Sequence, residues 1–382
     1  MKIVHISLCG PVTDGWNYQD NLIPRYQVLA GNDVTIIASK WIFGNDGKLT
    51  IFDKTDYYYD GTKMIRLNLK FGKDINSKFK RYEGLYKAIN DAKPDCIFVH
   101  NISFIDVNDV VRYARENPDV RIYADNHNDF SNSGRNWISK NILQKGIWRH
   151  YARKIEPYVK KFYGVLPARV DFLVNVYGLP KEKCELLVMG ADDELVSAAE
   201  NMENKERIRK QYNIEPDDFL IMTGGKIDAF KTQTLLLMQA VHNINNPKVK
   251  LIVFGSIADE LKEQVDNLAD DNIVQYIGWI NANDSYEYFA CADLAVFPGR
   301  HSVFWEQVVG QGIPMICKKW DGTTHVDICG NVIFLEEDSV EIIQKQIELL
   351  INDREKYKTM KQAAIEASSH FSYREISRKC IE

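Results

Sequence analysis

The chain has 382 residues, 45% of them hydrophobic and 26% charged, with a formal charge of −5 at neutral pH. That length exceeds the size at which a single core stops growing and predicts two domains of roughly 190 residues each, while the ordinary composition, without repeats or low-complexity tracts, excludes disordered and fibrous classes. Charge is unevenly shared: residues 1–195 hold 28 Lys and Arg against 24 Asp and Glu, residues 196–382 hold 20 against 29, so the first half is the one suited to an anionic surface.

Met1-Lys2-Ile3-Val4-His5-Ile6 is too short and too soon interrupted to read as a signal peptide. No apolar run approaches the roughly 18 residues that span a bilayer, so any membrane contact is expected to be peripheral. Seven scattered cysteines without a C-x-x-C pair argue for reduced thiols, a cytoplasmic location, and neither a disulfide framework nor a metal site.

Strand-like apolar runs at residues 2–7, 33–38, 64–69, 95–100, 121–124, 162–166 and 185–188 alternate with helix-length amphipathic stretches. The same alternation returns at 219–222, 250–254, 273–276, 294–297, 314–317 and 332–335, and helices follow to the end. This is the pattern of α/β proteins with parallel sheets, one Rossmann-like layer in each half. The expected division is 1–192, 193–365 and a last helical segment, 366–382, packing back on the first domain.

In chain order, the first feature with chemical content is the polar loop from Cys9 to Asn21, which contains Gly10 and Gly15 and leads into a helix. It lacks G-x-G-x-x-G, which argues against a dehydrogenase. Two basic stretches follow, 70–87 and 135–161, the second with eight Lys and Arg against Glu156 alone and with Trp137, Ile142, Leu143, Ile147, Trp148 and Tyr151 at near-helical spacing. It reads either as an amphipathic helix at a membrane surface or as a helix burying one face in its own domain. Between them, Asp125-Asn126-His127-Asn128-Asp129 follows a strand at its carboxyl end, where open α/β sheets collect ligands; a loop-bracing polar cluster is the other reading.

In the second half, the run 219–222 empties into Gly224-Gly225-Lys226-Ile227-Asp228-Ala229-Phe230-Lys231, with a helix beginning near Gln233. A strand ending in glycines, two cations and a helix N-terminus is how α/β proteins seat a diphosphate. Further on come Gly278-Trp279, with Trp279 either covering a base or buried in the core, and Arg300-His301-Ser302-Val303-Phe304-Trp305-Glu306-Gln307 ahead of Gly312-Ile313-Pro314.

Together these features resemble the family 4 type of retaining glycosyltransferases over nearly the whole chain. The resemblance implies a GT-B fold, two Rossmann-like domains facing across a cleft, with an acceptor side first and a nucleotide-sugar donor side second. It implies that Lys226 and Lys231 hold the diphosphate, with Lys226 in place of the commoner Arg, and that the Gly278–Trp279 turn meets the base. It further implies that the Gly10 to Gly15 loop approaches phosphate or acceptor, and that His127 beside Asp125 lies near the anomeric carbon, with Asn126 as the other alignment.

The sequence departs from the family at its acidic signature of two glutamates eight positions apart. Alignment on Gly312-Ile313-Pro314 puts Gln307 and Gly299 at those positions, with Glu306 one residue off. Either Glu306 takes the ribose role, with His301 or Ser302 replacing the first glutamate, or the site is degenerate.

The resemblance implies transfer of a sugar from a nucleoside-diphosphate donor, of UDP or GDP type, to a hydroxyl of a glycan or lipid-linked acceptor in bacterial surface polysaccharide or glycoconjugate synthesis. No cofactor, metal or nucleic acid is expected, and peripheral contact with the inner face of an anionic membrane is. The alternatives are a catalytically silent sugar-nucleotide-binding partner subunit and a sugar-nucleotide epimerase.

Overall fold

The computed structural model describes residues 1–44 and 47–382. The chain divides into a unit of Met1–Val188 with Ile376–Glu382 and a unit of Met189–Glu375.

The strands of the first unit are β1 (Lys2–Ser7), β2 (Asp33–Ser39), β3 (Trp41–Phe43), β4 (Leu49–Ile51), β5 (Asp56–Tyr59), β6 (Thr62–Leu67), β7 (Leu69–Phe71), β8 (Arg81–Tyr82), β9 (Cys96–Val99), β10 (Arg121–Asn126), β11 (Val159–Gly164) and β12 (Cys184–Leu186). Eight of them form one sheet in the order β12-β11-β10-β9-β1-β2-β6-β5, parallel except for the antiparallel β5–β6 pair at one edge. β3–β4 and β7–β8 are separate antiparallel pairs. The central strands are near-continuous apolar runs, as in Cys96–Val99, buried at every position, because a parallel sheet is covered on both faces. Val4, Ile6, Ile97, Val99, Ile122 and Ala124 carry this core across β1, β9 and β10.

The second unit holds β13 (Phe219–Gly224), β14 (Val249–Phe254), β15 (Val274–Tyr276), β16 (Leu294–Phe297), β17 (Met315–Lys318) and β18 (Val332–Leu335), all parallel, in the order β15-β14-β13-β16-β17-β18. The strand order reverses direction at β13 and β16, the kind of switch point where open α/β sheets form a crevice at the strands' carboxyl ends. Side-chain caps set the late helices: Ser339 Oγ accepts from Ile342 N (3.3 Å) and Asp353 Oδ1 from Lys356 N (3.0 Å), satisfying amides that a helix start leaves open.

Two expectations need correction. The tail joins the first unit only from Ile376, not from residue 366, and the division falls after Val188 instead of 192. The reason is local. Ala191 N donates to Phe371 O (2.8 Å) and Asp193 accepts from Ser372 Oγ (2.5 Å) and Arg374 N (3.0 Å), tying both stretches to the second unit. Beyond them, Ser377 O accepts from Gln27 Nε2 (3.1 Å) and Lys379 O from Tyr163 OH (3.2 Å).

The basic stretch after residue 135 is helical, with wide π-type turns over Ser139–Trp148 and an α-helix over Arg149–Ile155. Leu143, Trp148, Ala152 and Ile155 bury in the first unit's core, whereas Trp137, Ile138 and Ile142 stay exposed. The stretch thus buries one face in its own unit and leaves another apolar part uncovered. Among the described residues no helix is long and apolar enough to cross a membrane, and all seven cysteines are free thiols.

Candidate functional site

In the second unit the carboxyl ends of β13, β14 and β16 enclose a recess lined by Gly225, Lys226, Lys231, Thr234, Arg300 and Ser302, among others. Gly225 sits at φ +125°, a conformation that excludes most side chains. Its neighbour Gly255, at φ +127°, packs so closely that a Cβ there would stand 1.9 Å from Gly225 O. Only glycine lets these two strand ends approach. The loop is then fixed by Gly225 N to Phe254 O (3.0 Å) and Ile227 N to Ser256 O (2.8 Å). Asp228 accepts Lys231 N on its backbone oxygen (2.8 Å) and Phe230 N on its carboxylate (2.9 Å), turning the chain into the helix Gln233–Ile244.

The two expected cations, Lys226 and Lys231, are brought to one recess, and the structure adds a third that the sequence reading left out of the site, Arg300. Burial pulls the Lys231 pKa down; Asp228 opposes the shift and Arg300 adds to it. Lys226 Nζ stands 3.5 Å from Asp228 Oδ2. Arg300 lies over the Phe230 ring at 5.1 Å, so a guanidinium fork is present although Lys226 replaces the family's Arg. The sequence signal was its place, immediately after Pro298-Gly299 at the end of β16.

Gly255 N donates to Gly278 O (2.8 Å), setting the Gly278–Trp279 turn beside the same glycine pair. Trp279 is 68% exposed, which removes the buried-core alternative and leaves its ring open to a ligand.

Glu306 is placed differently from expectation. It is wholly buried, and its Oε1 accepts from His301 Nε2 (2.7 Å) and His325 Nε2 (2.9 Å). Burial alone would raise its pKa, but the two imidazoles hold it down at about 2. Among the described residues its Oε2 has no hydrogen-bond partner. The three ligating atoms lie within 4.8 Å of one another, a spacing that could hold a metal ion and that the sequence reading did not foresee. Gln307 turns to Ser285 Oγ (2.9 Å), and neither it nor Glu306 lines the recess, whereas Gly299, at the first glutamate position, and Ser302 do.

In the first unit, Asp125 ends β10 fully buried. Its Oδ1 accepts Asn101 N (2.8 Å), and its Oδ2 meets His100 Nδ1 (3.2 Å) and His127 Nε2 (3.3 Å). His100 Nδ1 also meets Asp20 Oδ1 (3.0 Å), on the first turn of the helix after the Gly10–Gly15 loop. Burial would lower the His100 pKa, but the Asp20 and Asp125 carboxylates outweigh it and raise it to about 10. His100 Nε2 then faces His5 Nδ1 (2.9 Å), and His5 Nε2 faces Gln27 Oε1 (2.7 Å). Burial and the His100 charge push His5 down to about 3. His5 is thus the next link of a buried chain. Neither His100 nor Asp20 was singled out in the sequence, because one follows β9 and the other opens the helix Gln19–Leu29, and only the fold brings them together.

Asn126 is buried, its amide bound to Asn128 O (2.9 Å) and Arg169 O (3.2 Å), so it braces the loop, while the His127 side chain is 32% exposed. His127 is therefore the group through which the Asp125 cluster meets solvent. Gly10 and Gly15 lie in a loop anchored by Asp14, whose carboxylate accepts from Arg66 (2.6 Å) and Tyr57 OH (2.7 Å).

Comparison with known proteins now gives the second unit a class. Residues 204–367 match the family described as glycosyl transferases group 1. The matched stretch lies within the second unit. No curated protein matches the sequence significantly. Among solved structures, a glycosyltransferase from Rickettsia africae is similar at TM-score 0.67 and 14% identity, over 99% of this chain and 96% of that one. Alr3699/HepE of Anabaena, in complex with UDP, is similar at TM-score 0.65 and 16% identity, over 99% and 98%. The UDP-GlcNAc 2-epimerase of Neisseria meningitidis, bound to UDP-GlcNAc, is similar at TM-score 0.60 and 14% identity, over 99% and 98%. These likenesses establish a GT-B fold over the whole chain. The cation recess lies within the matched residues.

Proposed function

We propose that this protein is a retaining glycosyltransferase that moves a sugar from a nucleoside-diphosphate donor to a hydroxyl of a glycan or lipid-linked acceptor. The observation that carries the reading is the convergence of Lys226, Lys231 and Arg300 on a glycine-built recess in the matched domain. Cleaving a glycosyl–phosphate bond leaves the electron pair on the diphosphate, and preorganised cations at a strand–helix junction stabilise that charge. Trp279 is assigned to the base. That the Anabaena neighbour is complexed with UDP supports a UDP-type donor; GDP is the other candidate.

In front-face transfer the acceptor oxygen bonds the anomeric carbon as the sugar–phosphate bond breaks, and the leaving phosphate oxygen takes the acceptor's proton. His127, held by anionic Asp125, is assigned to position the acceptor hydroxyl and stabilise the oxocarbenium-like charge. Glu306 is assigned a supporting role through His301, beside Arg300 and Ser302, in place of direct contact with ribose. No cofactor enters this scheme. The exposed Trp137, Ile138 and Ile142, with Lys140 and Lys145 in the same stretch, are assigned to peripheral contact with an anionic membrane at its cytoplasmic face.

The test is titration with UDP, GDP, ADP and CMP and their sugar conjugates, following thermal stabilisation and nucleotide release. Stabilisation by one nucleoside diphosphate, lost in Lys226→Ala/Lys231→Ala, together with slow donor hydrolysis lost in His127→Ala, is the expected result. A donor that binds but never turns over with any acceptor would instead mark a silent partner subunit, a reading that the inward turn of Glu306 and Gln307 keeps open. Isomerisation of the donor alone would mark an epimerase.

A further inference from the structure

The first unit contains a cavity of about 380 Å³ that the sequence reading did not assign. Its volume is within the range of small-molecule sites. One wall is an array of fixed amides and hydroxyls. Asn128 Nδ2 reaches Ser103 Oγ (2.7 Å) and Tyr177 OH (3.1 Å), and its Oδ1 accepts from Ser133 Oγ (3.0 Å). Asn101, held at φ +64°, donates its backbone N–H to Asp125 Oδ1 (2.8 Å), so this wall continues the His127 cluster. Mixed donors and acceptors of this kind suit a ligand rich in hydroxyls.

The other lining is cationic. Lys78, Lys80 and Arg135 border the cavity, and among the described residues no Asp or Glu does. Lys80 is buried; its ammonium donates to Cys9 O (2.7 Å) and Ile75 O, leaving one of its three donors without a partner among the described residues. Arg135 uses only Nε, on Ser131 O (3.1 Å), and neither it nor Lys78 has a carboxylate partner among the described residues. Asp74 opposes the cost of burying the Lys80 ammonium only at a distance, with no ion pair between them among the described residues, so an anionic ligand would supply the direct counter-charge that this cation lacks.

We propose that this cavity binds a hydroxylated ring bearing an anionic group, a sugar phosphate or a uronic acid, and that the acceptor is therefore anionic. The second half of this statement rests on the glycosyltransferase reading; the first does not.

The probes are glucose 1-phosphate, glucuronic acid, glucose and inorganic phosphate, titrated calorimetrically into the full chain carrying Lys226→Ala/Lys231→Ala, which disables the recess of the second unit. The expected result is measurable binding of at least one of the two anionic sugars, weakened by salt. Lys78→Ala/Arg135→Ala, two exposed positions, should weaken it at least tenfold without changing the melting temperature. Which anionic sugar binds more tightly names the anion. Glucose binding as tightly as both would overturn the charge requirement, and phosphate binding as tightly as glucose 1-phosphate would overturn the ring requirement. Unchanged affinity in Lys78→Ala/Arg135→Ala would remove the cavity from consideration. If the anionic sugars bind as stated but no donor supports transfer to them, the anionic-acceptor statement fails while the cavity assignment stands.

Discussion

Each unit buries a cluster of histidine and carboxylate, and the two are built for different ends. In the first, Asp125 and Asp20 share the His100 cation, and the partly exposed His127 ring carries the cluster to solvent. In the second, Glu306 is closed in by His301 and His325, whose side chains are only 15% and 2% exposed. Residue types are nearly the same. What separates them is whether one imidazole keeps a free face, since a group that meets no ligand can brace a loop but cannot exchange a proton with a substrate.

The largest effect should come from emptying the first cluster. Asp125→Ala leaves the buried His100 cation with Asp20 alone, and loss of a buried ion partner costs about 3–5 kcal/mol. Glu306→Ala leaves two imidazoles that can stay neutral, so its loss should be nearer about 1–3 kcal/mol. Urea unfolding of both variants measures the difference, and equal losses would show that the clusters are alike after all.

Turnover should separate them next. His127→Ala is expected to lower kcat by about 10²–10⁴, the usual contribution of a positioned acid–base group, with donor affinity kept. His301→Ala should instead raise the donor KM, because His301 anchors the loop that carries Arg300 and Ser302. A KM effect for His127→Ala and a kcat effect for His301→Ala would exchange the two roles.

The pH response sharpens the same contrast. His5 has a folded pKa of about 3 against 6.5 unfolded, so below pH 6.5 the unfolded chain takes up the proton first and stability falls as pH drops toward 3. His100, raised to about 10, contributes stability that is complete below pH 6.5 and lost as pH rises through 10. Glu306, lowered to about 2 from 4.5, contributes stability that is complete above pH 4.5 and lost only as pH falls through 2. Acid should therefore act on the first cluster before the second, and His5→Gln should flatten the loss between pH 6.5 and 3 in a melting-temperature series. An unchanged acid limb in that variant would detach His5 from the chain of contacts.

The sequence showed the central strands well and the clusters poorly, for one physical reason. Buried parallel strands are continuous apolar runs that announce themselves, as at 96–99 and 251–254. The edge strands β3, β4, β5, β7 and β8 have only two to four residues, many of them exposed, and give no such signal. Lys226, Lys231 and Gly225 were legible because one loop holds them all. Arg300 joins them from the loop after β16, and Asp125 and Asp20 meet His100, which in turn meets His5, from separate elements, so only the tertiary arrangement reveals them. The burial of Glu306 was not legible because spacing gives a residue's place on a helix but not whether neighbours from another loop, here His325, close over it.

The smallest expected effect concerns the stretch after residue 135, where burial itself divides the helix. Leu143, Trp148, Ala152 and Ile155 face the core, so substituting them tests folding, not surface contact. Trp137 and Ile138 are 70% and 61% exposed, and Ile142 48%, leaving apolar area uncovered beside Lys140 and Lys145. Apolar insertion and attraction to anionic headgroups act together at such a surface. Trp137→Ser/Ile138→Ser should thus reduce cosedimentation with anionic vesicles by about tenfold, equivalent to about 1.4 kcal/mol, while leaving the melting temperature and turnover on a soluble acceptor unchanged. Because the two mechanisms differ in their response to salt, the residual binding of this variant should be abolished by raised ionic strength. Vesicle binding untouched by the substitutions would return the exposed apolar residues to ordinary surface.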